Sequence, residues 1–308
     1  MKTKSGLRLG ISLPQNFPEE RLDHAYLRDY VRQAEAMGFE DGWLTENILS
    51  PNFQLEPVTY LAYLAAVTER IRLGVAVVIL NTRNPVQLAK ALSSVDQLSN
   101  GRMTLGVGLG GGTRNYAAFG VPEERRVARF EEALKVMKAL WTQDRATVAG
   151  DFWRLDGARM QPKPLQQPHI PLIFGGHSEQ ALRRAIRLGD GWMAAGSVST
   201  EQSIESLKQI RAYLREERGD ESAFLLSKRL YVAVDDDEAL GRRKLSAALG
   251  YQYGGTDQDH TGLAAAPSRA VEVLGRLREA GAQHVVLNPA YEHMKQMEVL
   301  ATKVVPQL

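Results

Sequence analysis

The stretch Arg70–Gly120, RIRLGVAVVILNTRNPVQLAKALSSVDQLSNGRMTLGVGLGGGTRNYAAFG, constrains the fold more than any other part of this chain. Ile71–Ile79 is a mostly apolar run of strand length, and Asn81–Pro85 reads as a turn. Val86–Leu98 has helical spacing. After Ser99-Asn100-Gly101 a second strand, Arg102–Val107, empties into Gly108-Leu109-Gly110-Gly111-Gly112. Two strands apolar on both faces and joined through a helix form a parallel βαβ unit. A glycine cluster past the carboxyl end of such a strand lets a bulky ligand approach the backbone.

The same alternation runs along the whole chain. Strand-like runs at Leu7–Leu13, Gly42–Thr45, Pro171–Phe174, Asp190–Ala194, Phe224–Val234 and His284–Leu287 are separated by helical patterns at Asp23–Met37, Pro57–Thr68, Glu123–Trp141, Ser178–Leu188, Thr200–Arg218 and Ala270–Ala280. Tyr291–Val304 reads as a closing helix. The segment after Thr147 is rich in glycine and proline and suggests a hairpin and a linker, whereas Gly241–Ala266 has no clear pattern. About eight βα units without a break in composition favour one α/β domain over residues 1–308, a (β/α)8 TIM barrel with insertions after strands 4 and 7. An open doubly wound sheet is the alternative. In a barrel the site lies at the carboxyl ends of the strands.

Composition narrows the chemistry. The chain has 308 residues, 44% hydrophobic and 24% charged, as in ordinary globular proteins. A formal net charge of +2 gives no reason to expect a nucleic-acid or membrane-surface partner. No apolar run approaches the roughly 20 residues of a membrane span, and the start lacks a signal-peptide pattern, so a cytoplasmic protein is expected. The absence of cysteine removes disulfides, thiolate metal sites and a cysteine nucleophile. His24, His260 and His293 read as surface residues and His284 precedes a strand. No histidines pair as metal ligands, and Gly-x-Ser-x-Gly is absent. No metal site is expected.

The strand ends then supply the candidates. Gly106-x-Gly108-x-x-Gly111 matches a dinucleotide fingerprint only formally, because no carboxylate ends a strand about 20 residues on; a tight turn and a close cofactor approach both fit it. Gly175-Gly176-His177-Ser178 follows a strand and opens a helix, so free N–H groups and the helix dipole converge there. Ser178 serves either as an N-cap or as part of an anion site. Glu46-Asn47 and Asn81 are the carboxylate and amides placed to meet a substrate, or else loop caps. A mouth rich in glycine and amides but poor in acids, bases and metals suggests that a cofactor carries the chemistry.

The chain resembles the luciferase-like flavin-dependent oxidoreductases, the superfamily of bacterial luciferase, flavin-dependent alkanesulfonate monooxygenases and deazaflavin (coenzyme F420) enzymes. The resemblance spans nearly the whole chain. It rests on Thr68-Glu69-Arg70-Ile71-Arg72-Leu73-Gly74, Asn84-Pro85-x-x-Leu88-Ala89-Lys90, Asp96-x-Leu98-Ser99-x-Gly101-Arg102, Gly106-x-Gly108, Phe119-Gly120-Val121-Pro122 with Arg126, Pro162-Lys163-Pro164, Gly175-Gly176 and Gly189-Asp190-Gly191-Trp192. It implies a barrel with FMN or coenzyme F420 across its mouth, and a non-prolyl cis peptide at Ala76-Val77 under the ring. The cofactor phosphate is expected at Gly175, Gly176, His177 and Ser178. Gly108, Leu109, Gly110 and Asn81 are expected around the ring, with Glu46, Asn47 and Asn81 as catalytic candidates.

The departures bear on the reaction. Luciferases and several deazaflavin dehydrogenases carry a histidine where this chain has Asn47, and an amide exchanges no proton at neutral pH. Luciferase's arginine phosphate ligand corresponds to Leu109, leaving Arg114 or peptide N–H groups to compensate. The implied function is a flavin-dependent monooxygenase or oxidoreductase acting on a small organic substrate. With FMN it would oxygenate the substrate, and with deazaflavin it would transfer hydride. A homodimer and a separate reductase supplying reduced flavin are the expected partners. The alternatives are a flavin-binding protein with little turnover and a barrel enzyme for a phosphorylated substrate. The loops at Asn47–Glu56, Thr113–Gly120 and Tyr251–Ala266 are expected to shape the substrate site.

Overall fold

The computed structural model describes residues 3–110, 112–113, 115–255 and 261–308. The chain opens with β1 (Arg8–Ser12), α1 (His24–Ala36), β2 (Asp41–Leu44), α2 (Pro57–Val67), β3 (Arg72–Ile79), α3 (Pro85–Leu98), β4 (Met103–Gly108) and α4 (Arg126–Thr142). An antiparallel hairpin of β5 (Ala146–Ala149) and β6 (Arg154–Ala158) follows. The alternation resumes with β7 (Leu172–Phe174), α5 (Glu179–Leu188), β8 (Gly191–Ala194), α6 (Thr200–Arg218) and β9 (Leu225–Val234). It ends with α7 (Glu238–Tyr253), β10 (Leu263–Ala265), α8 (Pro267–Glu279), β11 (His284–Pro289) and α9 (His293–Val299).

Eight of these strands are parallel and close on themselves in the order β11-β1-β2-β3-β4-β7-β8-β9, with β9 pairing β11 to complete the ring. The fold is the expected luciferase-like (β/α)8 barrel. Its two insertions also fall where expected. The β5–β6 hairpin follows the fourth barrel strand and its helix, and α7–β10 follows the seventh, with β10 beside Val232–Val234 of β9. No helix among the described residues is long and apolar enough to cross a membrane.

Local chemistry explains the starts and stops. Asp23 caps α1, its carboxylate accepting from the N–H groups of Ala25 and Tyr26 at 2.9 and 3.1 Å. Prolines begin α2, α3 and α8, where a missing N–H costs nothing. Ser199 and Gln202 form a reciprocal capping box on α6. The first half of the unreadable segment Gly241–Ala266 belongs to α7. Gly241 and Gly250 lie inside that helix and blunt its hydrophobic period, and β10 is only three residues long. The expected single helix at Tyr291–Val304 is instead α9 followed by a wider π-turn over Leu300–Val304.

The core has two parts. Between strands and helices lies the large apolar shell, in which residues such as Leu9, Ile11, Val75, Leu105 and Leu230 are fully buried. Inside the barrel, Trp43, Ile173, Met193 and Val286 form a small plug with Ala76 and Leu225 packed on it. Beneath the plug, His284 Nε2 lies 2.9 Å from Asp41 Oδ1, and Trp43 Nε1 donates to the same oxygen. Burial alone would raise the Asp41 carboxyl, but His284, Trp43 and Arg8 outweigh it and hold it below its ordinary value.

Glycines let this interior close. A Cβ on Gly106 would sit 2.2 Å from the Val75 carbonyl oxygen and 3.0 Å from the Ala76 Cα, both backbone atoms that cannot step aside. A Cβ on Gly112 would meet nothing within 4 Å. Gly106→Ala should therefore lower stability by at least about 2 kcal/mol or prevent folding, while Gly112→Ala should stay within about 0.5 kcal/mol of the parent. Urea or thermal melts of the two variants check this, and matching transitions would contradict it.

Candidate functional site

Among the described residues, the carboxyl ends of the strands surround two large cavities, with a smaller one beside them. One, of about 560 Å³, is lined by Ala76, Val77, Gly108, Leu109, Gly110, Gly175, Gly176, His177 and Ser178, nine of the ten residues expected around a cofactor. The bond between Ala76 and Val77 is cis. It lies where the register of β3 against β4 shifts, between Val75 and Val78. Gly108 faces this segment closely, since a Cβ there would come within 2.8 Å of Val77 Cγ2, and one on Gly175 within 3.2 Å of Val77 Cγ1. The space these glycines leave is thus first of all space for Val77. Gly111 and Arg114 lie outside the described residues.

At the other end of this cavity the chain turns from β7 into α5. Ser178 is the N-cap, its Oγ accepting from Ala181 N–H. Gly175 N–H is spent on the Val107 carbonyl, but the N–H groups of Gly176, His177 and Ser178 have no acceptor among the described residues. Gly176 has φ +110, a conformation that disfavours side chains. Its carbonyl accepts from Trp192 Nε1 at 2.6 Å, so a fully buried indole pins the turn. Two guanidiniums also line the cavity. Arg184 is paired with Glu131 at 3.0 Å, whereas Arg126, in the first turn of α4, has no carboxylate partner among the described residues. Phe130 and Phe174 stand edge-to-face at 5.8 Å in the wall. This end can hold an anion: oriented N–H donors, a helix N-terminus and cationic side chains meet there.

The three catalytic candidates do not join this cavity. The Glu46 side chain is wholly buried and accepts from Ile79 N–H at 2.7 Å and from Arg83 Nε at 2.7 Å. Arg83 bridges on to Glu56 at 2.6 Å. Burial raises the Glu46 carboxyl above its ordinary range, and Arg83 offsets this only in part. Asn47 is exposed on the rim of a neighbouring cavity of about 320 Å³, which Glu46, Ile79 and Tyr116 also line. Asn81 lies behind both walls. Its Nδ2 donates to Tyr116 Oη at 3.1 Å and to the Arg126 carbonyl at 2.9 Å, while its Oδ1 is buried without a partner. Tyr116 Oη in turn donates to the Leu109 carbonyl.

The second large cavity, of about 510 Å³, lies between β1, β2, β11 and α7 and is lined by Ser12, Trp43, Thr45, Asn288 and Tyr291 among others. Arg229 of β9 lines both cavities. Its Nη2 donates to Tyr231 Oη at 2.8 Å, and Nη1 stands 3.5 Å from the Ala76 carbonyl at the cis bond. Tyr231 Oη also meets Tyr253 Oη at 2.7 Å and accepts from Gln252 Nε2 at 2.9 Å, tying the end of α7 to the barrel interior. Next to Arg229, Lys228 points outward and is fully buried. Its Nζ donates to the carbonyls of Ala195 and Val198 at 2.6 and 2.7 Å, which fixes a loop in the wall of the first cavity. Burial, with Arg229 nearby, pushes this ammonium down to about 7.

Reading the strand ends alone missed Arg229 and Lys228, which lie mid-strand. The signal was present: Ser227-Lys228-Arg229 interrupts a strand that burial on both faces would otherwise make apolar. His293 is not the expected surface residue, since it lines the second cavity and burial pushes its imidazole down to about 4. His284 is the first residue of β11 and sits in the barrel interior; His260 lies outside the described residues.

Comparison with known proteins agrees with this geometry. Residues 7–299 match the family described as luciferase-like monooxygenase. An uncharacterized protein of Mycobacterium tuberculosis is 38% identical over 160 residues, a match covering 51% of this chain and 56% of that protein. The FMNH(2)-dependent dimethylsulfone monooxygenase of Pseudomonas putida is 32% identical over 193 residues, covering 60% of this chain and 51% of the enzyme. These matches span about half the length of the relatives. An F420-dependent secondary alcohol dehydrogenase, solved with an F420-acetone adduct, superposes with a TM-score of 0.81 at 20% identity, covering 100% of this chain and 99% of that one, and so shares the fold. The barrel, the cis bond in its third strand and the match over nearly the whole length place the chain in the luciferase-like monooxygenase family.

Proposed function

We propose that the chain is a redox enzyme that holds FMN or coenzyme F420 in the cavity of about 560 Å³ and acts on a small organic substrate in the adjoining one of about 510 Å³. The observation that carries this reading is the polarity of the first cavity. One end offers three N–H groups without acceptors beside Arg126 and Arg184, suited to a phosphate. The other end is flat backbone at Ala76-Val77 beside Arg229, suited to a ring. Both cavities have volumes usual for small-molecule sites. The printed names of the relatives support both cofactors, FMNH(2) in one and F420 in another.

Bound there, reduced FMN would supply electrons for oxygenation by dioxygen, and a reduced deazaflavin would supply hydride. The protein's own groups hold and shield. Phe130, Phe174 and Met193 keep water from the wall, and Tyr253 covers the junction from α7. Glu46 acts by position: through Ile79 N–H and Arg83 it fixes the end of β3. Asn81 does the same for Tyr116 and the start of α4, which carries Arg126. Asn47 stands on the rim and donates or accepts hydrogen bonds without exchanging a proton.

Titrations with FMN and with coenzyme F420, each beside its phosphate-free counterpart, test the reading. One of the two cofactors should bind, at least about tenfold tighter than the phosphate-free form, and Arg126→Ala should narrow that gap. Binding of neither cofactor, or no effect of the phosphate, would contradict it. With the cofactor reduced, oxygen uptake coupled to product formation indicates the FMN reaction, and anaerobic hydride transfer the deazaflavin reaction. A bound cofactor with neither reaction across a broad substrate panel indicates a binding protein with little turnover.

A further inference from the structure

Lys228 is the one charge in its row. The residues of β9 that alternate with it, Leu226, Leu230, Val232 and Val234, all belong to the apolar shell between strands and helices. Its partners across the sheet are Ala194 of β8 and Val285 of β11. The buried faces of α6 and α8 carry no charged side chain. Among the described residues, Arg229 is the one charged group that acts on the Lys228 ammonium, and it repels it. An ammonium buried without a counter-ion costs stability that an apolar side chain of similar size would not.

What this ammonium holds is a turn. Nζ donates to the carbonyls at both ends of residues 195–198, Ala195 at 2.6 Å and Val198 at 2.7 Å. Val198 N–H closes the same turn on the Ala195 carbonyl at 3.2 Å. Gly196 is pressed against Tyr231, where a Cβ would come within 2.6 Å of the ring. Ala195 and Ser197 are exposed and line the cavity of about 560 Å³, and Ser197 Oγ has no hydrogen-bond partner among the described residues. In the barrel order β4-β7-β8, the turn after β7 thus has the glycines that end β4 on one side and residues 195–198 on the other. Lys228 itself does not line the cavity; it stands behind this wall.

We propose that Lys228 is a positioning residue for the cofactor: its positive charge holds residues 195–198 as the β8 wall of the cavity, and the cofactor binds tightly only while that turn is held. The proposal rests on the cofactor reading above. Two charge-assisted hydrogen bonds to carbonyls are stronger than the same bonds from a neutral amine. Burial and Arg229 bring the Lys228 ammonium down to about 7, so its hold weakens as the pH rises through that value.

Hydrogen exchange and cofactor titration test the proposal, using FMN or coenzyme F420, whichever binds. In the parent protein, bound cofactor should slow exchange of the amides of residues 196–199 by about tenfold or more. Lys228→Met, compared at about pH 6 where the parent keeps its ammonium, should unfold at no lower urea than the parent. The same variant should exchange these amides faster without cofactor and bind the cofactor about tenfold more weakly. Between about pH 6 and 9 the affinities of parent and variant should converge. Unchanged exchange in the parent on cofactor binding overturns the proposal without recourse to any variant. Equal affinity of parent and Lys228→Met also sinks it and leaves the cofactor reading standing, as does a gap that stays constant with pH. A variant that unfolds at lower urea, with faster exchange throughout the barrel strands, shows a merely structural lysine and contradicts it too. If the parent binds neither FMN nor F420, the cofactor reading and this proposal fall together.

Discussion

The structure depends on how closely β4 and β7 approach the irregular end of β3. At Gly106 the approach leaves no room for a Cβ beside the Val75 carbonyl, and at Gly108 and Gly175 the room goes to Val77. This close packing sets the floor of the cavity that Ala76, Val77, Gly108 and Gly175 line. It brings the Ala76 carbonyl to Arg229 across the barrel and turns the backbone of Ala76-Val77 toward the larger cavity. The groups that hold β3 from outside belong to the same device, since Glu46 anchors Ile79 N–H and is itself clamped by Arg83.

Charge is distributed along this floor in a simple way. At one end the α5 N-terminus, Arg126 and Arg184 make a positive pocket with free N–H donors. In the middle stands Arg229, held by neutral groups. Acids near the mouth are already committed: Glu46 to Arg83, Glu131 to Arg184, and Glu292 to Lys244 and Lys295. Among the described residues, positive charge thus stands at two separate points of this floor.

Much of the fold was legible because parallel strands buried on both faces write themselves as apolar runs, as at Val75–Ile79 and Leu105–Val107. The helix Glu238–Tyr253 was not, because Gly241 and Gly250 interrupt its period and the strand that follows has three residues. The turn at Gly175–Ser178 was legible, because the order strand, glycines, N-cap and helix can be read directly. The cis bond at Ala76-Val77 was reached only through resemblance, since nothing in those two residue types marks it. Glu46 looked like a reacting group from its place after a strand; only its partners reveal an anchor. Arg229 and Lys228 were hidden by the opposite effect. They sit mid-strand, where attention to strand ends does not reach, and which face each takes depends on the period of two along β9. Arg126 and Leu109, from separate segments, line the same cavity, a meeting that no local pattern shows.

The most direct test of the central claim, that the cavity between Ala76-Val77 and Ser178 is the cofactor site, is a crystal structure of the protein saturated with whichever of FMN or coenzyme F420 it binds. The expected result is a phosphate within hydrogen-bond distance of the N–H groups of Gly176, His177 and Ser178, with the ring against Ala76-Val77 and its edge toward Arg229. A phosphate bound elsewhere, or a ring lodged between Ser12 and Tyr291, would contradict it.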